Sequence, residues 1–345
     1  ADLSYDSGSV IYAKRLAEYL LRSGDEPRLI ASKVPTNLSN ELRECISLAP
    51  ELLDHPVIVD RNVKPEEILR SISVLCRHLG DLVDRTGIDI IHAHYASFSS
   101  FAAFVASSIA RVPFVVSSFG RDLTLGWQRD PRIRWMAEQS IPAARFIFVP
   151  SREIAELTVR CFPALESGRR IVVSPMPLDQ RILETGVLHF VPKGPVITAI
   201  NSCFTPEKGI ETILHAFAWL RERTSAHLVL AGDDDQPGRP HAKELRRLVE
   251  NLGLGERVSF VGYLNRADVG ELIRHTTVFV DARLRGNFSS VLVEALSLGA
   301  RTLSSRYSGA ETLLGAEFPG LFETGNAVDL ATKIEAALVE PAFAQ

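Results

Sequence analysis

The sequence predicts an α/β protein built from two halves, each a parallel sheet covered by helices on both faces. Three observations carry that prediction. Short β-branched runs alternate with amphipathic stretches along almost the whole chain, the order expected of parallel sheets. The alternation pauses at a turn-rich segment, "LETGVLHFVPKGP" (183–195), and then restarts. The length, 345 residues, also exceeds what one core of ordinary size supports.

Strands of the first half are expected at 28–32, 88–94, 113–118, 145–151 and 170–174, with helices at 10–22, 65–85, 97–110 and 152–161. Pro65 suits the first turn of its helix, and Gly87 lies just past the end. The second half repeats the order, with strands at 196–201, 227–232, 257–262, 277–282 and 301–305. Its helices are expected at 209–223, 240–252, 267–275, 289–298 and 327–338. The expected domains are 1–182 and 195–338, joined by a linker at 183–194, with ligands at the carboxyl ends of the strands in a cleft between them. The opening "ADLSYDSGS" reads as the loop after a strand, so a preceding strand is expected.

Composition narrows the function. Hydrophobic residues make up 46% and charged residues 23%, a globular balance without long disorder. A net charge of -4 with no basic block gives nucleic-acid binding no electrostatic support. Cys45, Cys76, Cys161 and Cys203 are scattered, which fits a reducing cytosol and no clustered zinc or disulfide framework. The apolar stretch 101–116 is broken by Ser107, Ser108, Arg111 and Pro113, so it does not read as a membrane span.

The most informative stretch is "RLRGNFSSVLVEALSLGA" (283–300). The opening amides of its helix, from Phe288 through Ser289 and Ser290 to Val291, lack intrahelical acceptors and sit at the positive end of the dipole. Gly286 and Asn287 precede them, and the bare glycine leaves room for a phosphate. Glu294 lies further along, and helical side chains lean back toward the N-terminus. Its carboxylate either reaches a pair of ribose hydroxyls or serves the helix dipole or a neighbouring loop. Lys208 in "NSCFTPEKG" (201–209) either answers a phosphate charge or is a solvated turn lysine. Gly232 and Asp233 in "AGDDD" (231–235) either admit a ligand to the backbone or are turn residues.

In the first half, Gly8 and Ser9 form a small-residue loop that caps a helix or touches a ligand. His92 and His94 share a strand face, which makes a metal pair conceivable, though no third ligand has motif spacing. Gly120 and Asp122 are expected to form a turn at the same cleft edge. "RDPRIRW" (129–135) is a solvated helix face or a contact for acidic acceptors or lipid headgroups. Nucleophile-elbow and dinucleotide fingerprints are absent.

Together these pieces resemble the retaining glycosyltransferases of family 4, which have the GT-B fold. The likeness rests on "PEKG" (206–209), "AGD" (231–233), "RVSFVGYL" (257–264) and "NFSSVLVEALSLGA" (287–300), with looser matches in "DSGSV", "DIIHAHY", "SSFGRDL" and "FVPS". It implies transfer of a sugar from a nucleotide-sugar donor, UDP- or GDP-linked, with retention, no cofactor and no required metal. The implied acceptor is a small molecule, lipid or glycan. A homodimer and peripheral contact with the inner membrane face are left open, and nucleic acid is not an expected partner.

Residue by residue, the resemblance gives Lys208 the donor diphosphate and the 288–291 amides its cradle. Glu294 would hold the ribose and Gly262 and Tyr263 the base, while Gly8 and Ser9 would close over the diphosphate. The departures are specific. The first glutamate of the family pair falls on Gly286, the arginine that partners the lysine on Cys203, and the glycine before it on Ser202. The histidine before Gly120 and Asp122 falls on Phe119, and a glycine after strand 170–174 on Pro177. Losing an aimed charge from such a site costs roughly 10²–10³ in rate. Arg283, Arg285 and His94 are the expected substitutes. The alternative reading is a catalytically degenerate protein of the same fold that binds nucleotide sugar or scaffolds a partner enzyme.

Overall fold

The computed structural model describes residues 8–33, 39–52, 63–165, 170–175, 178–190, 192–233, 241–285 and 289–340. Contacts divide the chain into two compact units, Ala1–Pro177 and Leu178–Gln345.

The first unit runs α1 (Gly8–Arg22), β1 (Leu29–Ala31), α2 (Asn40–Glu44), β2 (Ile46–Leu48), α3 (Pro65–Thr86), β3 (Ile91–His94) and α4 (Phe98–Ala110). It continues through β4 (Phe114–Ser117), α5 (Pro131–Ser140), β5 (Ile147–Val149), α6 (Arg152–Cys161) and β6 (Ile171–Val173). Among the described residues β3, β4, β5 and β6 form a four-stranded parallel sheet, while β1 and β2 pair separately. Each boundary has a local cause. Glu67 accepts the Lys64 amide at 3.0 Å to open α3, and Gly87, at φ 62°, closes it in the left-handed conformation. Small residues Ala103 and Ala106 let α4 approach its sheet, and its Ser100 hydroxyl meets Ser140 of α5 at 2.8 Å.

The second unit runs β7 (Val196–Cys203), α7 (Ile210–Trp219), β8 (His227–Asp233), α8 (His241–Asn251), β9 (Val258–Gly262) and α9 (Arg266–Arg274). It ends with β10 (Val278–Asp281), α10 (Ser290–Ser297), β11 (Thr302–Ser305), α11 (Ser308–Leu314), β12 (Leu321–Phe322) and α12 (Ala327–Val339). Its described strands form one parallel sheet in the order β12-β11-β10-β7-β8-β9. Alternation along β7 separates two cores. Ile197 and Ala199 pack with α7, α8 and α12, whereas Val196 and Ile200 pack with α9, α10 and α11. Phe217, Phe279 and Phe322 are fully buried, each contributing roughly 1.5–3 kcal/mol by transfer from water.

The boundary between the units falls earlier than the sequence pattern places it, because residues 178–190 dock on α9. A turn at Gln180–Leu183 buries Ile182 completely, and its carbonyl accepts from Arg274 Nη2 at 2.8 Å. Gly270 is the residue that allows this approach, since a Cβ there would overlap the Ile182 carbonyl. The pattern also passes over α2, β2, α11, β12 and a π-helical stretch at Asp122–Trp127. No helix among the described residues is long and apolar enough to cross a membrane. All four cysteines are thiols.

Gly270→Ala is expected to displace the 178–190 segment and lower stability by about 1–3 kcal/mol. A urea melt followed by far-UV circular dichroism checks this; an unchanged midpoint would contradict the docking.

Candidate functional site

In the second unit the first strand of the sheet, β7, lies in its middle between β10 and β8. The helix after β7 packs on one face and the helix after β10 on the other. The strand order therefore reverses at this pair of parallel strands, and the loops at their carboxyl ends part to leave a crevice. Two contacts join the crevice walls. Leu284 donates its amide to the Glu207 carbonyl at 3.0 Å, and Gly209, at φ 66°, passes so close to the Ala282 carbonyl that no side chain fits.

Lys208 closes the 3-10 turn Pro206–Lys208 on one wall. On the other wall Ser289 is the N-cap of α10, buried, with its Oγ accepting the Leu292 amide at 3.4 Å. That cap leaves the Ser290 and Val291 amides without a hydrogen-bond acceptor among the described residues. Gly286, Asn287 and Phe288 lie outside the described residues. Ser202 is exposed at the end of β7 and Cys203 is buried beside it.

Glu294 is 2% exposed, and its carboxylate meets the Arg266 guanidinium. Arg266 also faces Asp179, which is fully buried and 3.5 Å from Arg266 Nε. Arg181 holds the same aspartate at 2.7 Å. Arg266 occupies the first position of α9, where the dipole disfavours a cation, so the two acids compensate. The pattern gave no warning of this chain of charges. An arginine at a helix start was the one signal. Because α9 begins just after Gly262 and Tyr263, the ion pair also links those residues to α10. Gly262 has φ 73° with open space around it, and Tyr263 is about half exposed.

A second buried network lies at the end of β10. Arg283 Nε meets Asp281 Oδ1 at 3.2 Å, and the Tyr307 hydroxyl donates to Asp281 Oδ2 at 2.9 Å. Burial works against the Arg283 charge, but neighbouring Asp281, Tyr307 and Cys203 raise its pKa above the ordinary arginine value. Burial and then Asp281 push the Tyr307 phenol well up. Arg285 does not join this group; it is exposed and pairs with Glu207 at 3.0 Å.

Two sequence-based expectations change. A Gly232 side chain would press on the Asn201 carbonyl and the Phe204 ring at 3.0 Å, so strand packing by itself accounts for this glycine. Asp233 ends β8 in register with Cys203. In the basic segment 129–135, Arg132 binds Asp130 and the Val63 carbonyl, and Arg134 lies over the Trp127 ring. Those two cations are spent inside the first unit.

In the first unit Gly8 and Ser9 start α1. His92 and His94 stack with centroids 4.8 Å apart; Tyr12 and Phe119 both pack against His94. His92 Nε2 meets the Ser117 hydroxyl at 2.9 Å. Burial lowers the His92 pKa to about 4, and burial with the adjacent His92 holds His94 well below its ordinary value. Both rings are therefore neutral at pH 7. Tyr95 next to them has φ 76°, a strained value for a side-chain-bearing residue. Asp122 is buried, accepts the Ala96 amide at 2.7 Å and has its pKa raised by burial, so it ties the β3–α4 loop. No group of three or more His, Cys, Asp or Glu side chains among the described residues could hold a metal.

A surface pocket of about 540 Å³, lined by Phe190, Lys193, His227 and Arg257, opens at the amino end of β8. It lies at the opposite end of the sheet from the crevice. Its arginine is committed to the carbonyls of Arg221, Thr224 and Ala226.

A parallel sheet with a crevice where its strand order reverses belongs to the class of doubly wound α/β proteins, which bind ligands at such a point. The model of "Glycosyltransferase Family 4" matches residues 7–180, and that of "Glycosyl transferases group 1" matches residues 189–345. The chain belongs to glycosyltransferase family 4. It is 22% identical over 335 residues to an N-acetyl-alpha-D-glucosaminyl L-malate synthase of Bacillus anthracis, covering 94% of this chain and 82% of that protein. It is 25% identical over 274 residues to a D-inositol 3-phosphate glycosyltransferase of Catenulispora acidiphila, covering 73% and 63%. Among solved structures, a sucrose-phosphate synthase from Thermosynechococcus elongatus superposes with a TM-score of 0.74 at 20% identity, covering 98% and 86%. Anabaena Alr3699/HepE in complex with UDP-glucose gives 0.73 at 17%, covering 99% and 88%. The fold is GT-B.

The neutral histidines set a pH dependence. Between pH 6.5 and about 4 the unfolded chain binds protons that the folded His92 ring refuses, so stability falls as pH falls. The slope reaches at most about 1.4 kcal/mol per pH unit for each ring. Urea midpoints at pH 7.5 and 5.5 are expected to differ less in a His92→Phe, His94→Phe double variant than in the parent protein. Equal differences would contradict the assignment.

Proposed function

We propose that this protein is a retaining, metal-independent glycosyltransferase that moves a sugar from a UDP- or GDP-sugar to a small-molecule, lipid-linked or glycan acceptor. The observation that carries the reading is the pair of amides at Ser290 and Val291, which have no acceptor among the described residues, at the β7/β10 crevice and one helical turn from Glu294. Amides in that position favour an anion, and the diphosphate of the donor is the anion that a sugar transferase must hold. Lys208 answers the charge that builds on the leaving diphosphate as the sugar–phosphate bond breaks. Glu294, fixed by Arg266, accepts hydrogen bonds from the ribose hydroxyls, while Gly262 and Tyr263 meet the base. Family membership supports retention, and HepE, a structural neighbour, is in complex with UDP-glucose. Within the first unit His94, being neutral, offers a hydrogen bond and not a charge.

Cys203 and the residue at 286, Gly286, favour a second reading in which the seat binds nucleotide sugar without turnover. One experiment separates the two. UDP and GDP are titrated in a thermal-shift assay, and release of nucleoside diphosphate is then followed from a panel of UDP- and GDP-sugars. Turnover is expected, with Lys208→Ala lowering it by roughly 10²-fold. Binding without turnover on any donor would favour the second reading. A folded protein that binds neither diphosphate would overturn both. Glu294→Gln is the informative acid variant, because truncating one partner of a buried ion pair costs about 3–5 kcal/mol and confuses stability with function.

A further inference from the structure

The donor seat proposed above has one assigned cation, Lys208, yet a second buried cation lies at the same crevice. The side chain of Arg283 is 13% exposed and follows β10 directly, between Ala282, which packs on Gly209, and Leu284, which is bonded to Glu207. It thus flanks the turn that carries Lys208. Its main chain is held by the Ser305 hydroxyl, which donates to the Arg283 carbonyl at 2.6 Å.

The guanidinium is held at one corner only. Nε meets Asp281, while Nη1 and Nη2 donate no hydrogen bond among the described residues. Asp281 is not short of partners, since Tyr307 occupies its other oxygen. Neither Nη is among the fully buried unpaired atoms, so both donors open to solvent, where an acceptor can reach them. The segment leading on to α10, Gly286-Asn287-Phe288, contains no carboxylate to be that acceptor. The idle edge of a guanidinium is a fork that fits two phosphate oxygens, and a fixed Nε reduces the rotamer freedom lost on binding.

We propose that Arg283 is the second cation of the diphosphate seat, supplying from the end of β10 a charge opposite Lys208. The inference rests on the donor reading above. It makes Arg283 a specificity determinant for diphosphate over nucleoside, since only the former presents oxygens to the fork.

The test is calorimetric titration of UDP against uridine, and of GDP against guanosine, with the parent protein and Arg283→Gln. The expected result is a roughly ten- to hundredfold loss of diphosphate affinity with nucleoside affinity unchanged. In the Arg283→Gln background, Cys203→Arg, on the neighbouring strand end, is expected to recover part of the loss. Equal loss for nucleoside and diphosphate, or no loss, would overturn the proposal and leave Arg283 as the counter-ion of Asp281. Should Arg283→Gln fail to fold, Arg283→Lys decides the matter: a narrowed preference for diphosphate supports the role and an unchanged preference overturns it. A parent protein that binds no diphosphate would instead overturn the donor reading itself.

Discussion

The position of β7 in the middle of its sheet is the constraint on which the site depends. Its neighbours β10 and β8 are both parallel to it, and right-handed crossovers then put the helix after β7 on one face and the helix after β10 on the other. The backbone has to part at the carboxyl ends of β7 and β10. Short turns with glycine at 209 and a serine-capped helix at 289 follow from making that parting without stranding buried polar groups. The α10 amides that have no acceptor among the described residues are the remainder, and the proposed donor seat rests on them.

Two buried charge networks flank this opening and explain why it keeps its shape. Asp179, Arg266 and Glu294 bind the segment before the sheet, the start of α9 and the middle of α10 into one unit. Asp281, Arg283 and Tyr307 do the same for the ends of β10 and the start of α11. Ion pairs this deep gain little net stability over apolar residues. Their use here is geometric, because they fix carboxylates and guanidinium forks against a crevice that would otherwise be lined by mobile loops.

Much of this architecture was legible in the sequence. Long buried strands such as β7 and β8 and well-capped helices such as α3 carry local signals of period, cap and glycine, so their ends fall close to where the pattern puts them. The two-residue β12 and three-residue β2 are too short to show a period and exist through pairing alone. The site divides the same way. Lys208, Ser289 and Glu294 stand out because a turn or helix start frames them. Arg266 and Asp179 do not, because their meaning comes from a contact between distant segments. Gly232 is ambiguous for a different reason: a glycine at a strand end looks identical whether a ligand or Phe204 needs the space.

The central claim is that the α10 amides hold the donor diphosphate. Backbone amide shifts of Ser290 and Val291, followed by NMR during titration with UDP and GDP, test it most directly. The account expects these two resonances to move strongly with a diphosphate and little with the matching nucleoside. Diphosphate binding that leaves both amides unmoved, with the shifts gathered at another element, would contradict it.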